Sequence, residues 1–208
     1  MNTKHVFVVL LFCAAGVMAA QETPKFDLFG GYSYGRIKTS TFVRYSNFNG
    51  WDSSLTYNVN SWLGIVAEGS GHYGSSLISP GARIVFVCPQ NPATCPPSFS
   101  FGPISADRKL HTYVFGPCFT WRTGHVVTPF AHVLAGGGYS SDVTDLGSIQ
   151  HSSHSAALVW KAGGGVDLRL NSLVSWRTQT DLVHSRFFSN GQSDLQVSTG
   201  PVFHFGRK

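Results

Sequence analysis

The chain has 208 residues, of which 15 are Lys or Arg and 10 are Asp or Glu, so its formal net charge is +5. Only 12% of the residues are charged and 42% are hydrophobic, whereas an average soluble domain carries about 25% charged residues. This composition excludes intrinsic disorder, which needs high charge and few aromatic residues, and the sequence lacks the runs of about 18 apolar residues of a helical membrane protein. Glu and Lys are too scarce for a coiled coil, and an all-β protein remains.

The N-terminal segment 1–20 has the pattern of a cleaved secretory signal peptide. Lys4 and His5 form a short basic head, residues 6–16 are an apolar run, and the segment ends in small residues. The run is too short to cross a bilayer as a helix. We therefore expect a mature chain, 21–208, that forms one exported domain.

Cysteine usage is consistent with export, because disulfides persist in oxidising compartments. Cys88 and Cys95 flank a polar, Pro-containing stretch and are candidates for a local loop disulfide, whereas zinc-type spacing is missing around them. Cys118 lies inside an alternating segment, where we expect a small buried side chain.

Alternation of apolar and polar residues with a period of two predicts strands throughout the mature chain. Each strand is about as long as a tilted transmembrane strand. The predicted connections at 58–61, 122–125 and 171–173 are short, and those at 37–49, 72–109, 139–155 and 185–193 are long. Short turns at one end and long loops at the other are typical of outer-membrane barrels. The eight strands are predicted near 26–36, 50–58, 62–71, 110–122, 127–138, 156–170, 174–184 and 194–206.

The two faces of these strands separate charged from aromatic residues. One face is predicted to form an ionic network inside the barrel, and the opposite face is predicted to carry lipid-facing aromatic residues. The fifth strand is ambiguous, because its two faces are similar in polarity. The network comprises Glu68, Lys161, Asp167, Arg169, Arg177, Gln179 and Asp181. The aromatic set comprises Tyr32, Tyr34, Trp51, Tyr57, Tyr113, Trp121, Trp160, Trp176, Phe203 and Phe205.

The stretches FDLFGGYSYGR, TYVFGPCFTWRTGHVVTPFAHVLAGGG, WKAGGGVDLRLN and VSTGPVFHFG resemble the OmpA-type family of eight-stranded outer-membrane β-barrel domains. The resemblance implies an all-β fold: a closed, antiparallel, up-and-down transmembrane barrel, integral to the bacterial outer membrane. It implies outer-membrane lipid and the barrel-assembly machinery as partners. No peptidoglycan-binding domain is expected after the barrel, and a monomer is expected.

Function is less constrained than fold. An eight-stranded barrel has an interior that side chains just fill, so we expect a non-catalytic structural or surface-interaction protein with long extracellular loops and an unknown extracellular partner. Alternatives are a narrow ion-conducting barrel and a soluble lipocalin-like periplasmic carrier with an apolar interior. No cofactor, metal or nucleic-acid partner is expected, because the glycine-rich stretches open no helix and no basic cluster with stacking aromatics occurs.

Two histidine–serine segments raise a further alternative, an outer-membrane lipid hydrolase. The segments are His151-Ser152-Ser153-His154-Ser155 and His184-Ser185. A nucleophilic serine needs a base within hydrogen-bond reach and a third group that orients the base. Neither segment shows an outward carboxylate on its strand, so no catalytic residue is assigned.

Overall fold

A computed structural model describes residues 23–37, 45–79, 81–84, 99–102, 104–122, 126–145, 150–186 and 192–207. The predicted signal peptide, 1–20, and the candidate disulfide between Cys88 and Cys95 lie outside these described residues. In the part of the chain that is described, no helix is long and apolar enough to cross a membrane.

Within the described ranges the chain forms ten strands, and eight of them close into one barrel. The remaining two, β4 and β5, pair with each other in a separate two-stranded sheet. The bounds are β1 (Pro24–Ile37), β2 (Ser46–Asn58), β3 (Leu63–Ser79), β4 (Ala82–Ile84), β5 (Phe99–Phe101), β6 (Ile104–Thr120), β7 (Val127–Asp145), β8 (Gln150–Arg169), β9 (Val174–Ser185) and β10 (Gln192–Arg207).

Each barrel strand pairs antiparallel with its neighbours along the chain, in the order β1-β2-β3-β6-β7-β8-β9-β10. The barrel closes where β1 pairs with β10, for example at Tyr32 opposite Thr199. Pro24 lies opposite Arg207, so both ends of the described chain are at the same end of the barrel. The predicted fold class, a closed eight-stranded up-and-down barrel, is confirmed.

Two short connections at this end, which we call the turn end, have the same construction. After β2, the side-chain oxygen of Asn60 accepts hydrogen bonds from the backbone N–H groups of Trp62 (3.0 Å) and Leu63 (2.7 Å). After β8, Asn171 accepts in the same way from Leu173 and Val174, both at 2.8 Å. An asparagine that bonds the backbone two and three residues ahead favours a tight reversal, which explains why these turns are short.

The opposite end, which we call the loop end, differs from the sequence prediction. β3 and β6 each have 17 residues, β7 has 19 and β8 has 20, although a transmembrane strand needs roughly 9–11. The predicted loop 139–155 is therefore wrong as a loop, since only 146–149 separates β7 from β8. Much of 72–109 is strand as well. Serine, histidine and aspartate in these segments suggested loops, but a strand that continues into water has polar residues on its faces.

The outer surface of the barrel is apolar, as expected from the prediction that charged residues face the interior and aromatic residues face outward. The predicted aromatic residues lie on the outer surface, and most are about 40–65% exposed. A soluble β-protein would bury such a face. Tyr34 is half-buried, and its hydroxyl donates to Asn47 at 2.7 Å. The outward residues with printed exposures are Tyr32, Trp51, Tyr57, Tyr113, Trp121, Trp160, Trp176, Phe203 and Phe205.

The outward aromatic residues lie in two bands, one near each end of the apolar surface. Near the turn end, Phe26 lies opposite both Tyr57 and Phe205. Toward the loop end, Tyr32 lies opposite Trp51. On β7 the outward residues between Val127 and Tyr139 are small or aliphatic, as at Val133. Aromatic girdles on both sides of an aliphatic zone are the surface pattern of membrane-spanning barrels.

Candidate functional site

The candidate site is the interior of the barrel, where the charged residues gather. Six of the seven residues predicted for the ionic network point inward and are buried. They form two groups: a central cluster around Lys161, and an arginine–carboxylate pair nearer the turn end. The six are Glu68, Lys161, Asp167, Arg177, Gln179 and Asp181.

Lys161 occupies the middle of the interior and is fully buried. Its ammonium group donates to Glu68 Oε1 at 2.6 Å, to Gln196 Oε1 at 3.1 Å and to Ser70 Oγ at 3.2 Å. Glu68 and Lys161 come from β3 and β8, so the bond crosses the lumen. Three acceptors match the three donors of an ammonium group, and the cation is fully satisfied.

Asp52, on β2, accepts hydrogen bonds from the amide and hydroxyl groups of this cluster. Its Oδ2 accepts hydrogen bonds from Ser198 Oγ (2.8 Å), Gln179 Nε2 (3.1 Å) and Gln196 Nε2 (3.1 Å). Its Oδ1 is buried and, among the described residues, has no hydrogen-bond partner. A buried carboxylate oxygen without a partner is costly, since it loses its hydration.

Asp181, on β9, meets His132 of β7 across the intervening strand β8. His132 Nε2 and Asp181 Oδ1 are 2.7 Å apart. Gly163 of β8 lies between them, opposite His132 on one side and Asp181 on the other. A side chain at position 163 would occupy the space that the Asp181 carboxylate uses.

We expect Gly163→Ala to destabilise the barrel by about 1–3 kcal/mol, the usual cost of overpacking. The added methyl group would collide with the Asp181 carboxylate and with the Thr180 carbonyl oxygen, which is backbone and cannot rotate away. Gly137→Ala is the matched control, because the nearest atom to its added carbon is Ala157 O at 4.0 Å. Urea unfolding of the refolded variants measures both, and equal stabilities would contradict the predicted close approach.

The second group pairs Arg177 with Asp167. Arg177 Nε and Nη2 donate to the two Asp167 carboxylate oxygens at 2.7 and 2.8 Å. The guanidinium lies 4.3 Å from the ring centroid of Phe130 and 5.5 Å from that of Phe29. This bidentate ion pair, packed against two aromatic rings, has no net charge. Arg177 is therefore not available to neutralise other carboxylates in the interior.

Polar contacts also close the turn end. Asp27 bonds His204 Nδ1 at 2.7 Å and accepts from Asn58 Nδ2 at 2.8 Å. Arg122 donates to Ser61 O at 2.5 Å and to Asn58 Oδ1 at 3.1 Å. These bonds join β1, β2 and β10 to the turns and fill the mouth of the barrel.

Arg169 is a correction to the predicted network. It has the inward parity of β8 but is exposed at the last residue of that strand, where the strand leaves the barrel. Alternation gives the face of a residue, whereas its height along the barrel decides whether it meets the central cluster.

Asp52, His132 and Gln196 of the central cluster were not in the predicted network, and neither were the two serines that bond to it, Ser70 and Ser198. Asp52 was on the polar face of its strand, but no partner for it was evident in the sequence. His132 lies on the strand whose faces were ambiguous; the structure turns Phe130, His132 and Leu134 inward. Gln196 was also on a polar face, and its position opposite Asp181 is a property of strand register.

Among the side chains that the structure describes, the histidine–serine segments show a His–Ser contact but no carboxylate that orients the histidine. His184 Nδ1 is 3.0 Å from Ser193 Oγ on the outer face, while Ser185 is buried on the opposite face of β9. His154 Nδ1 is 2.7 Å from the Tyr139 hydroxyl. The side chain of His151 is outside the described part of the structure, and the predicted non-catalytic nature of the protein stays a prediction.

Solved structures share this fold at low sequence identity. Ail, the attachment invasion locus protein of Yersinia pestis, matches with a TM-score of 0.59 and 15% identity over 88% of this chain and 99% of Ail. Neisserial surface protein A matches with a TM-score of 0.60 and 13% identity over 87% of this chain and 97% of its own. This chain has the fold of the small outer-membrane barrels. No family model and no curated protein matches the sequence.

Proposed function

We propose that this protein is an integral, non-catalytic barrel of the bacterial outer membrane that contacts partners outside the cell through its loop end. The observation that carries the proposal is the length of β3, β6, β7 and β8, which are neighbours in the barrel. At 17–20 residues, they exceed the hydrocarbon thickness by roughly 20 Å or more of strand. We call this projecting part the wall.

One exposed and one largely buried polar contact join neighbouring strands of the wall. Ser75 Oγ donates to Asp107 Oδ1 at 2.7 Å between β3 and β6. Arg108 binds both oxygens of Asp142, at 2.8 and 2.6 Å, between β6 and β7. A rigid, hydrated platform that carries the connections is a common setting for binding surfaces.

The filled interior supports a role other than that of a wide pore. Lys161, Asp181 and Gln179 cross the middle of the lumen and are at most 1% exposed. Among the structures of similar fold, Ail has been crystallised with the heparin analogue sucrose octasulfate. A sulfated polysaccharide is therefore a suitable first probe for the loop end of this protein.

The proposal predicts that cells displaying the protein adhere to a heparin-coated surface. The test variant replaces two exposed cations near the loop end, Arg36 and Lys109, with glutamine, because a polyanion binds through cations. We expect wild-type cells to be retained at least several-fold more than cells with this double variant, measured by counting cells after washing in physiological salt. An epitope tag inserted in 85–98, between β4 and β5, should be accessible on intact cells.

The control for assembly is the gel mobility of the unheated protein in outer-membrane extracts, which should be the same for wild type and variant. Equal retention of wild-type and variant cells would contradict binding through the loop end. Failure of the tag to be labelled on intact cells, or recovery of the protein in the soluble periplasm, would contradict the membrane assignment itself.

A further inference from the structure

We propose that the centre of the barrel is a metal site, in which Glu68, His132 and Asp181 bind one divalent transition-metal ion such as Zn²⁺. The site is independent of the surface function proposed above. The proposal rests on the convergence of three ligand side chains, on the charge of the central cluster and on an oxygen of Asp52 that has no hydrogen-bond partner among the described residues.

The three side chains come from β3, β7 and β9 and converge inside the closed barrel. One ligand atom from each lies within 4.8 Å of the other two, and all three residues are buried. Ligands that are about 2.1 Å from a zinc ion lie at most about 4.2 Å apart. The three atoms are therefore at most about 0.6 Å farther apart than two ligands of one zinc ion can be.

The carboxylates of the central cluster outnumber its cations when His132 is neutral. Glu68, Asp181 and Asp52 carry three negative charges when ionised, and Lys161 supplies one positive charge. Arg177 does not compensate the remainder, because Asp167 already binds it through both oxygens. Unbalanced buried charge is strongly unfavourable, and one divalent cation makes the cluster neutral while His132 stays uncharged, as a ligand must be.

Asp52 supplies an independent indication. Gln179 Nε2 contacts both Asp52 Oδ2, at 3.1 Å, and Asp181 Oδ2, at 3.4 Å, so the Asp52 carboxylate lies beside that of Asp181. Its Oδ1, which has no hydrogen-bond partner among the described residues, is therefore available to accept a hydrogen bond from a water molecule bound to the ion. This is the usual role of a carboxylate just beyond the ligands.

The surrounding residues hold the ligands in fixed orientations. Lys161 and Gln179 donate to one oxygen of Glu68 and of Asp181, respectively. Gly163 leaves the gap through which Asp181 approaches His132. Metal sites depend on such supporting hydrogen bonds for affinity.

The donor set selects the class of ion. One imidazole and two carboxylates suit zinc, manganese or iron, whereas calcium and magnesium prefer oxygen ligands alone. We therefore expect zinc to bind and calcium not to bind at the same concentration.

The experiment measures metal content and unfolding of the mature chain, refolded into phospholipid from chelator-treated urea solution with Zn²⁺, with Ca²⁺ or without metal. After removal of free ions, mass spectrometry should find about one zinc per wild-type barrel. His132→Gln should retain at least tenfold less zinc, while His72→Gln, which alters a buried histidine bonded to Ser33, should bind like wild type. Zinc should raise the unfolding midpoint of wild type and of His72→Gln only.

Wild-type protein that retains no zinc, or zinc content that is equal in wild type and His132→Gln, would overturn the proposal. Glu68→Gln is the second variant, with the same expected loss, in case His132→Gln does not refold. Equal retention of calcium and zinc would also overturn it, because acidic groups alone would then explain the binding.

Discussion

Val133→Arg is expected to destabilise the membrane-inserted barrel by about 2–4 kcal/mol, the cost of an arginine at the bilayer midplane. Val133 points outward from β7 and is 55% exposed. It lies midway along the apolar stretch of its strand, between Val127 and Tyr139. Reversible urea unfolding in phospholipid bilayers measures the change.

The matched control is Val143→Arg, which places the same side chain on the same face of the same strand. Val143 is ten residues further toward the loop end, roughly 25 Å along the axis of a barrel whose strands tilt by 35–45°. There the arginine meets water, and the expected cost is about 0–1 kcal/mol. Equal, small effects at both positions would mean that the aromatic exterior faces solvent and that the barrel is a soluble carrier.

Lys161→Met is expected to cost about 3–5 kcal/mol, because it leaves the buried Glu68 carboxylate without its cation. Methionine has a similar length, so little packing is lost with the charge. The measurement is the free energy of unfolding in phospholipid, made without added metal so that only the protein's own charges contribute. Arg169→Met is the control, since Arg169 is exposed and its removal should change stability by no more than about 0.5 kcal/mol.

The double variant Lys161→Met with Glu68→Gln separates the ion pair from the individual residues. Its cost should be smaller than the sum of the two single costs, because no buried charge of the pair remains uncompensated. Additive costs would show that Lys161 and Glu68 do not interact, and would contradict the 2.6 Å contact.

The strands that follow strict alternation were predictable in number and face. In β9, Arg177, Gln179 and Asp181 alternate with Trp176, Thr178 and Leu182, so a single reading of the face places both sets. The faces of β7 could not be assigned in this way. His132 shares its face with the apolar residues Phe130 and Leu134, and the other face, with Ala131 and Val133, is apolar as well. Its face became clear only where Phe130 packs beneath Arg177.

The interior network was predictable as a set of residues and not as a set of contacts. Lys161 and Glu68 are 93 residues apart in the chain, and Gln196 and Asp52 are 144 apart. No local pattern encodes which of them meet. The partners follow from register and from the closure of β1 on β10, which bring distant strands around one axis.

The amino-acid sequence by itself determined the number of barrel strands and the faces of those that alternate strictly, because both depend on alternation within a strand. Alternation is the same in a soluble barrel, so the inverted polarity was inferred from the signal peptide, the loop asymmetry and the strand count. The sequence did not determine where the strands end, since polar residues suit both a loop and a hydrated strand. Only the tertiary structure decided that Arg169 lies in solvent at the turn end while Asp52, His132 and Asp181 meet at the centre. Height along the barrel and contact across the lumen depend on the tilt and register of all eight strands together.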